Sequence, residues 1–237
     1  MRLSKSKINT YLSCPLKFKY KYIDEIEEKP NKYMVLGSDV HLIAETFLKK
    51  FKGNITNINI KNELIKIAFE LDIGYGLEDH INNLAVFFNE IFIKQEYKLF
   101  SFEEYIIDEK NNFSGICDII VEDENGDLII IDYKTSNSNT FSKYRLELCY
   151  YKLLVENVYQ RNVSHVGVFF TRNAKLRLLK IDNNDNKRLY LHGDEIKNAV
   201  NIMHDVRNNI KNNVFHSNKQ FICKFCNYQK MCFNSQF

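Results

Sequence analysis

The feature that most constrains this 237-residue chain is the stretch from Gly115 to Ser136, GICDIIVEDENGDLIIIDYKTS. Two runs of aliphatic, mostly β-branched residues flank the turn-forming segment DENGD, the pattern of a β-hairpin. Charge interrupts that pattern at set places. Asp118 breaks the first apolar run, Asp132 closes the second, and Lys134 follows two residues later. Carboxylates in apolar strands cost free energy unless they are paired or hold a cation.

Register decides whether these groups meet. A two-residue Asn125–Gly126 turn sets Asp118 opposite Tyr133 and leaves the two acids on opposite faces. A three-residue loop, Glu124–Asn125–Gly126, sets Asp118 opposite Asp132, about 5 Å apart at Cβ. Gly126 then takes the left-handed position of a bulge. With a side-chain period of two, Lys134 joins the same face. We predict the three-residue loop. Two carboxylates that close repel, which points to a divalent cation between them.

The rest of the composition sets limits. A chain of this length buries enough surface to fold without disulfides. Two prolines and eight glycines argue against long linkers, and a net charge of +3 neither demands nor excludes nucleic acid. No apolar run reaches transmembrane length and no signal-peptide core opens the chain. A cytoplasmic protein without membrane partners is expected. In a reducing compartment, clustered cysteines read as metal ligands before disulfides.

Along the chain, residues 1–25 read as two short helices divided at Cys14–Pro15, with Ser4 or Ser6 as cap. Lys17, Lys19 and Lys21 alternate with Phe18, Tyr20 and Tyr22, either a stacking surface for single strands or an ordinary helix with its aromatics inside. Helices are predicted over 36–51, 60–72, 77–99, 140–160 and 190–212. In the first of these, Gly37, His41, Ala44 and Leu48 share one face. Strands are predicted over 102–108, the hairpin, 164–171 and 175–181. The C-terminus, FICKFCNYQKMCF, supplies Cys223, Cys226 and Cys232, and Cys14 is the best fourth ligand. Cys117 and Cys149 read as core residues. Phe221, Phe225, Tyr228, Met231 and Phe233 are expected to shield the cysteine site. Zinc and an iron–sulfur cluster both suit four thiolates.

Taken together, these residues resemble the PD-(D/E)xK nuclease superfamily, and within it the CRISPR-associated and other RecB-like exonucleases that carry an iron–sulfur staple. The resemblance runs from SxSxxxxYxxCP at Ser4–Pro15 to Cys232. It includes GxxxH at Gly37–His41, GICD at 115–118 and DYK at 132–134, and more loosely the helix motif around Leu148–Val155. Glu147 stands where that family usually shows Gln.

The resemblance implies an α/β fold, a central mixed sheet flanked by helices with a restriction-endonuclease-like core. It implies one nuclease domain over 1–237, a helical insertion near 52–99, and cluster-binding segments at 1–25 and 215–237 joined at the staple. Asp118, Asp132 and Lys134 are the implied catalytic set. His41, Asp118, Asp132 and the Tyr133 carbonyl are the implied ligands of Mg2+ or Mn2+. Cys14, Cys223, Cys226 and Cys232 are the implied ligands of a 4Fe–4S cluster, with zinc as the alternative. Glu103 or Glu104 is the implied acid on the preceding strand, and Glu147 and Tyr151 are accessory candidates. The implied function is a metal-dependent DNA exonuclease trimming single-stranded or free ends in CRISPR spacer acquisition, repair or recombination, in company with proteins of those pathways. A catalytically inactive DNA-binding subunit or adaptor is the alternative.

Overall fold

In a computed structural model of the chain, residues 1–73, 76–182, 186 and 188–234 are described. Among the described residues seven strands form one mixed sheet: β1 (Leu3–Ser4), β2 (Lys98–Asp108), β3 (Phe113–Glu122), β4 (Leu128–Lys134), β5 (Val163–Phe170), β6 (Lys175–Ile181) and β7 (Tyr190–Leu191). The order is β1-β3-β4-β5-β6-β7, with β2 also paired to β3. This is the α/β sheet flanked by helices that the family resemblance implies. The hairpin strands pair Ile119 with Ile131 and Glu122 with Leu128, the register of a three-residue loop. Gly126 has φ +81°, and its N–H donates to the Asp123 carbonyl at 3.1 Å.

Each sheet face carries its own apolar core. On one face lie α1 (Lys5–Ser13), α2 (Pro15–Tyr22), α6 (Arg145–Tyr159) and α7 (Gly193–Lys211), over a core that includes Ile120, Ile130, Leu148 and Val168. On the other lie α3 (Lys32–Phe51), α4 (Ile60–Glu70) and α5 (Glu78–Phe88), over Ile119, Val121, Ile131 and Phe169. Burial of both faces explains why β4 and β5 read as near-continuous apolar runs. The parallel pair β4 and β5 is joined by α6, the crossover such a pair requires.

Three predicted helices are shorter than their patterns, and that over 190–212 opens as β7 and becomes α7 only at Gly193. The run over 77–99 leaves α-geometry at Phe88, widens into a π-turn over Asn89–Lys94, and is already β2 at Lys98. The run over 140–160 begins as 3-10 structure over Ser138–Tyr144. On α2 the second of the two readings holds: Phe18 and Tyr20 are buried, and Lys17 and Lys21 both pair with Glu28.

The sheet forks at its centre. One edge of β3 pairs with β2 along its length. The other edge pairs with β1 at Phe113–Ser114 and with β4 only from Ile119 to Glu122. Residues 115–118 therefore face a gap between β1 and β4. The alternation of faces slips at the same place: Cys117 belongs to one core and Ile119 to the other. On β2, between the pairs Phe102–Ile119 and Glu104–Cys117, Glu103 sits at φ +43°. A non-glycine residue held there is strained. The strain aims its carboxylate into the fork.

Candidate active site

Four elements converge on the gap. From β3, Asp118 is buried, and its Oδ2 accepts the Tyr133 N–H of β4 at 2.6 Å. The carboxylate thus takes the place of the ladder bond lost where the strands part. From α3, His41 points its Nε2 at the Tyr133 carbonyl, 3.3 Å away, and its Nδ1 at Glu103 (3.2 Å) and Asp118 (3.5 Å). Ligand atoms of His41, Glu103 and Asp118 lie within 4.8 Å of one another. Gly37, one turn before His41, has open space where a Cβ would be.

From the end of β4, Asp132 is 2% exposed and faces α6. Its Oδ1 accepts the Tyr151 hydroxyl at 2.8 Å and the Lys5 ammonium at 3.2 Å. Its Oδ2 forms an ion pair with Lys134. Glu147 lies beyond, with Oε2 3.3 Å from Lys5 and 3.7 Å from Lys134, and Oε1 accepting the Asn9 amide at 2.9 Å. The fork thus has an acid side (Asp118, Glu103, His41) and a lysine side (Asp132, Lys134, Lys5, Glu147).

Electrostatics separate the two acids. Burial, together with the charge of Asp132, raises the Asp118 carboxyl to about 6, against the pull of His41 and the lysines. Burial also disfavours ionised Asp132, but Lys134 and Lys5 more than offset it and hold that carboxyl below the usual range. Burial lowers the His41 imidazolium, yet Asp118 and Glu103 outweigh it and raise the group to about 9. Both His41 nitrogens face acceptors, as suits a protonated ring.

The model of the PD-(D/E)XK nuclease superfamily matches residues 2–233. The chain belongs to that superfamily. No protein of curated function matches its sequence. Among solved structures it is similar to a "Putative exonuclease" from Eubacterium rectale, at 13% identity and a TM-score of 0.58 over 97% of this chain and 87% of that one. A second, SSO0001, also shares 13% identity over 90% of this chain and 92% of that one, at a TM-score of 0.39 too low to carry an argument. At such identities the likeness is one of fold.

Within this nuclease fold, the structure brings together Asp118, Asp132, Lys134, His41, the Tyr133 carbonyl, Glu147 and Tyr151. Of the two candidate acids on β2, Glu103 enters the fork, while Glu104 pairs in the ladder with Cys117 and lies beside Tyr159. Asp132 departs from the expected arrangement. It does not share the compact His41–Glu103–Asp118 group, because both its oxygens are engaged by ammonium groups. Sequence reasoning missed Lys5 and Asn9. The signal was faint: Ser4 caps α1 through the Lys7 N–H, as expected, but only the pairing of β1 with β3 aims the first residue of α1 into the gap.

Cys14, Cys223, Cys226 and Cys232 line one cavity of about 520 Å3. The chain ends are also tied there without sulfur. Tyr11 donates to the Val214 carbonyl (2.6 Å), the Leu16 N–H to the His216 carbonyl (3.1 Å), and Tyr228 to the Ile26 carbonyl (2.8 Å). Among the described residues no three cysteine sulfurs lie within 4.8 Å of one another. Among the described residues the expected aromatic shield is not closed: Phe221 is 75% and Phe225 77% exposed and Met231 is exposed, while Tyr228 is buried. The side chain of Phe233 lies outside the described residues. Cys117 and Cys149 are buried in the core as expected. Among the described residues no helix is long and apolar enough to cross a membrane.

Proposed function

We propose that the chain is a divalent-metal-dependent DNA exonuclease that trims single-stranded or free ends. The observation that carries this is the convergence of Asp118, Glu103, His41, the Tyr133 carbonyl, Asp132 and Lys134 at one fork. The donor set suits Mg2+ or Mn2+: hard carboxylate and carbonyl oxygens, with one imidazole that favours manganese. The buried, mutually repelling pair Asp118 and Asp132 gives a dication something to neutralise. When bound, such an ion offsets phosphate charge and lowers the pKa of a bound water from about 15.7 toward neutrality.

The protein groups have distinct tasks. Asp118 and Glu103 present anionic oxygens from adjacent strands. Tyr133 contributes its carbonyl and, through its N–H, fixes the rotamer of Asp118. Lys134, paired with Asp132 Oδ2, is placed to leave that oxygen and donate to the attacking water or the developing charge. Tyr151 keeps Asp132 Oδ1 fixed meanwhile. By the chemistry of the family, cleavage leaves a 5′-phosphate and a 3′-hydroxyl.

A 4Fe–4S cluster is the group proposed for the cysteine cavity. Two backbone N–H groups face its sulfurs: Asn218 lies 3.5 Å from Cys14 Sγ and Gln220 3.3 Å from Cys223 Sγ. Such bonds stabilise thiolate ligands of clusters. A tetrahedral zinc, with Zn–S of about 2.3 Å, is the alternative occupant of four thiolates. We place the activity in the end-processing steps of CRISPR spacer acquisition or of repair and recombination, alongside the proteins of those pathways.

The test is digestion of end-labelled single- and double-stranded DNA with Mn2+. Progressive shortening from ends by the wild-type protein, absent in Asp132→Ala and Lys134→Ala, is the expected result. Binding without cleavage by a folded, Mn2+-loaded wild-type protein would overturn the reading in favour of a DNA-binding subunit.

A further inference from the structure

Lys5 is the one ammonium in the fork that the proposed chemistry leaves without a task. Its side chain is four-fifths buried, which a lysine tolerates only with compensating partners. It has three: Asp132 Oδ1 at 3.2 Å, Glu147 Oε2 at 3.3 Å, and the hydroxyl of Tyr151, over whose ring it also lies. It enters from a direction the other cations do not use. Lys134 arrives from the sheet and takes Asp132 Oδ2. Lys5 arrives from the first turn of α1 and, with Tyr151, takes Oδ1.

The position of Glu147 makes this division consequential. Its Oε2 lies between the two lysines, nearer Lys5 (3.3 Å) than Lys134 (3.7 Å). An uncompensated carboxylate there would draw Lys134 away from Asp132 and from any water beside it. Its charge would also add to those of Asp118, Asp132 and Glu103. With Lys5 present, Glu147 has its own cation, and Asp132 Oδ2 is the oxygen left free whenever Lys134 moves off.

We propose that Lys5 is a positioning residue for the nuclease reaction: it neutralises Glu147 and pins Asp132 by Oδ1, so that Lys134 and Asp132 Oδ2 remain free for the water and the metal. This deepens the nuclease reading and rests on it. Two effects of removing Lys5 then run in opposite directions. The site gains net negative charge, so a dication binds more tightly. Lys134 is diverted and Asp132 loosened, so cleavage slows.

The experiment compares the wild-type protein with Lys5→Met, Glu147→Gln and the double variant Lys5→Met/Glu147→Gln. Calorimetric titration with Mn2+ alone and single-strand cleavage at saturating Mn2+ are measured on each, with thermal melting as a check on folding. For Lys5→Met the expected results are Mn2+ affinity at least about threefold tighter and a cleavage rate at least about tenfold lower. The double variant should return Mn2+ affinity to near the wild-type value and recover at least about threefold of the lost rate, because the competing carboxylate has gone. Glu147→Gln alone, which removes an anion and leaves Lys5, should weaken Mn2+ binding by about threefold.

A merely structural lysine gives a different pattern. Loosening the fold weakens Mn2+ binding and rate together, and the double variant does no better than Lys5→Met; that pattern would overturn the proposal, as would a Lys5→Met protein indistinguishable from wild type. If the wild-type protein binds Mn2+ and does not cleave, the nuclease reading fails. The calorimetric comparison then still decides the role of Lys5 toward the metal: tighter binding, reversed in the double variant, sustains it, and any other order rejects it.

Discussion

The acid fork and the cysteine cavity are both candidate metal centres, yet they are built in opposite ways. At the fork, each ligand stands on a regular element, and backbone bonds hold the geometry without an ion: the Tyr133 N–H fixes Asp118, and the ladders around Glu103 fix its unusual backbone. At the cavity, the candidate ligands come from the two ends of the chain, Cys223 in 3-10 structure, Cys226 at its C-cap and Cys232 in a short helix, and large aromatics stay exposed beside them. The fork is a site whose fold makes the metal position. The cavity, in the proposed reading, is a site whose occupant would help to make the fold. Oxygen and imidazole donors on a rigid scaffold suit the proposed catalysis, and thiolates at the chain ends suit the proposed staple.

That contrast can be broken from either side. The largest effect belongs to the fork: Asp132→Asn should lower cleavage by about a thousandfold or more with an unchanged circular dichroism spectrum, since it removes a ligand charge and leaves the scaffold. A spectrum collapsing with activity would mean the fork also depends on its occupant. Next comes the cavity. Cys14→Ser should remove visible absorbance and lower the melting temperature by on the order of 10 °C. A crosslink between Cys14 and Cys223 closes a loop of about 210 residues, which is about 5 kcal/mol of denatured-state entropy. A Cys14→Ser protein as heat-stable as wild type would remove the cluster from any stapling role.

Smaller effects sharpen the comparison. Tyr151→Phe takes one donor from Asp132 and should cost about 10–100-fold in activity or Mn2+ affinity. Glu103→Gln should weaken Mn2+ binding by a similar factor, while Glu104→Gln on the same strand should stay within about threefold. Equal responses would mean that the turn of backbone at Glu103 has no functional consequence.

The pH response is the mildest test. Asp118 (raised to about 6) and His41 (raised to about 9) both bind protons more tightly in the folded, metal-free protein than in the unfolded chain. Stability from these groups is present at low pH and is lost as pH rises, through about 6 for Asp118 and about 9 for His41. Asp132, shifted the other way, contributes stability that is lost only in acid. Melting temperature without metal should therefore fall by a few degrees between pH 6 and pH 9, and the stabilisation conferred by Mn2+ should grow across the same interval. A metal-free protein growing steadily more stable over that range would contradict the assigned protonation states.

Much of this was legible in the sequence because it depends on local rules. The spacing of Asp118, the DENGD turn and Asp132 fixes a hairpin register, and Gly126 supplies the left-handed residue that register needs. The two-sided burial of β4 follows from its unbroken run of isoleucines. What was not legible depends on distant pairings. Lys5 enters the site because β1 pairs with a strand more than a hundred residues away. The choice between Glu103 and Glu104 turns on a phase slip shared by β2 and β3, which neither strand shows alone. The exposure of Phe221 and Phe225 reflects a segment too short to cover its own apolar groups.

The claim beneath all of these is that the fork grips a divalent ion. Crystals soaked in Mn2+ and measured at a wavelength where manganese scatters anomalously test it directly. The expected result is an anomalous peak bounded by Asp118, Asp132 Oδ2, the Tyr133 carbonyl and His41, with Lys134 drawn off Asp132. A fully soaked crystal with no peak at the fork, and Asp132 still closed between Lys5 and Lys134, would contradict it.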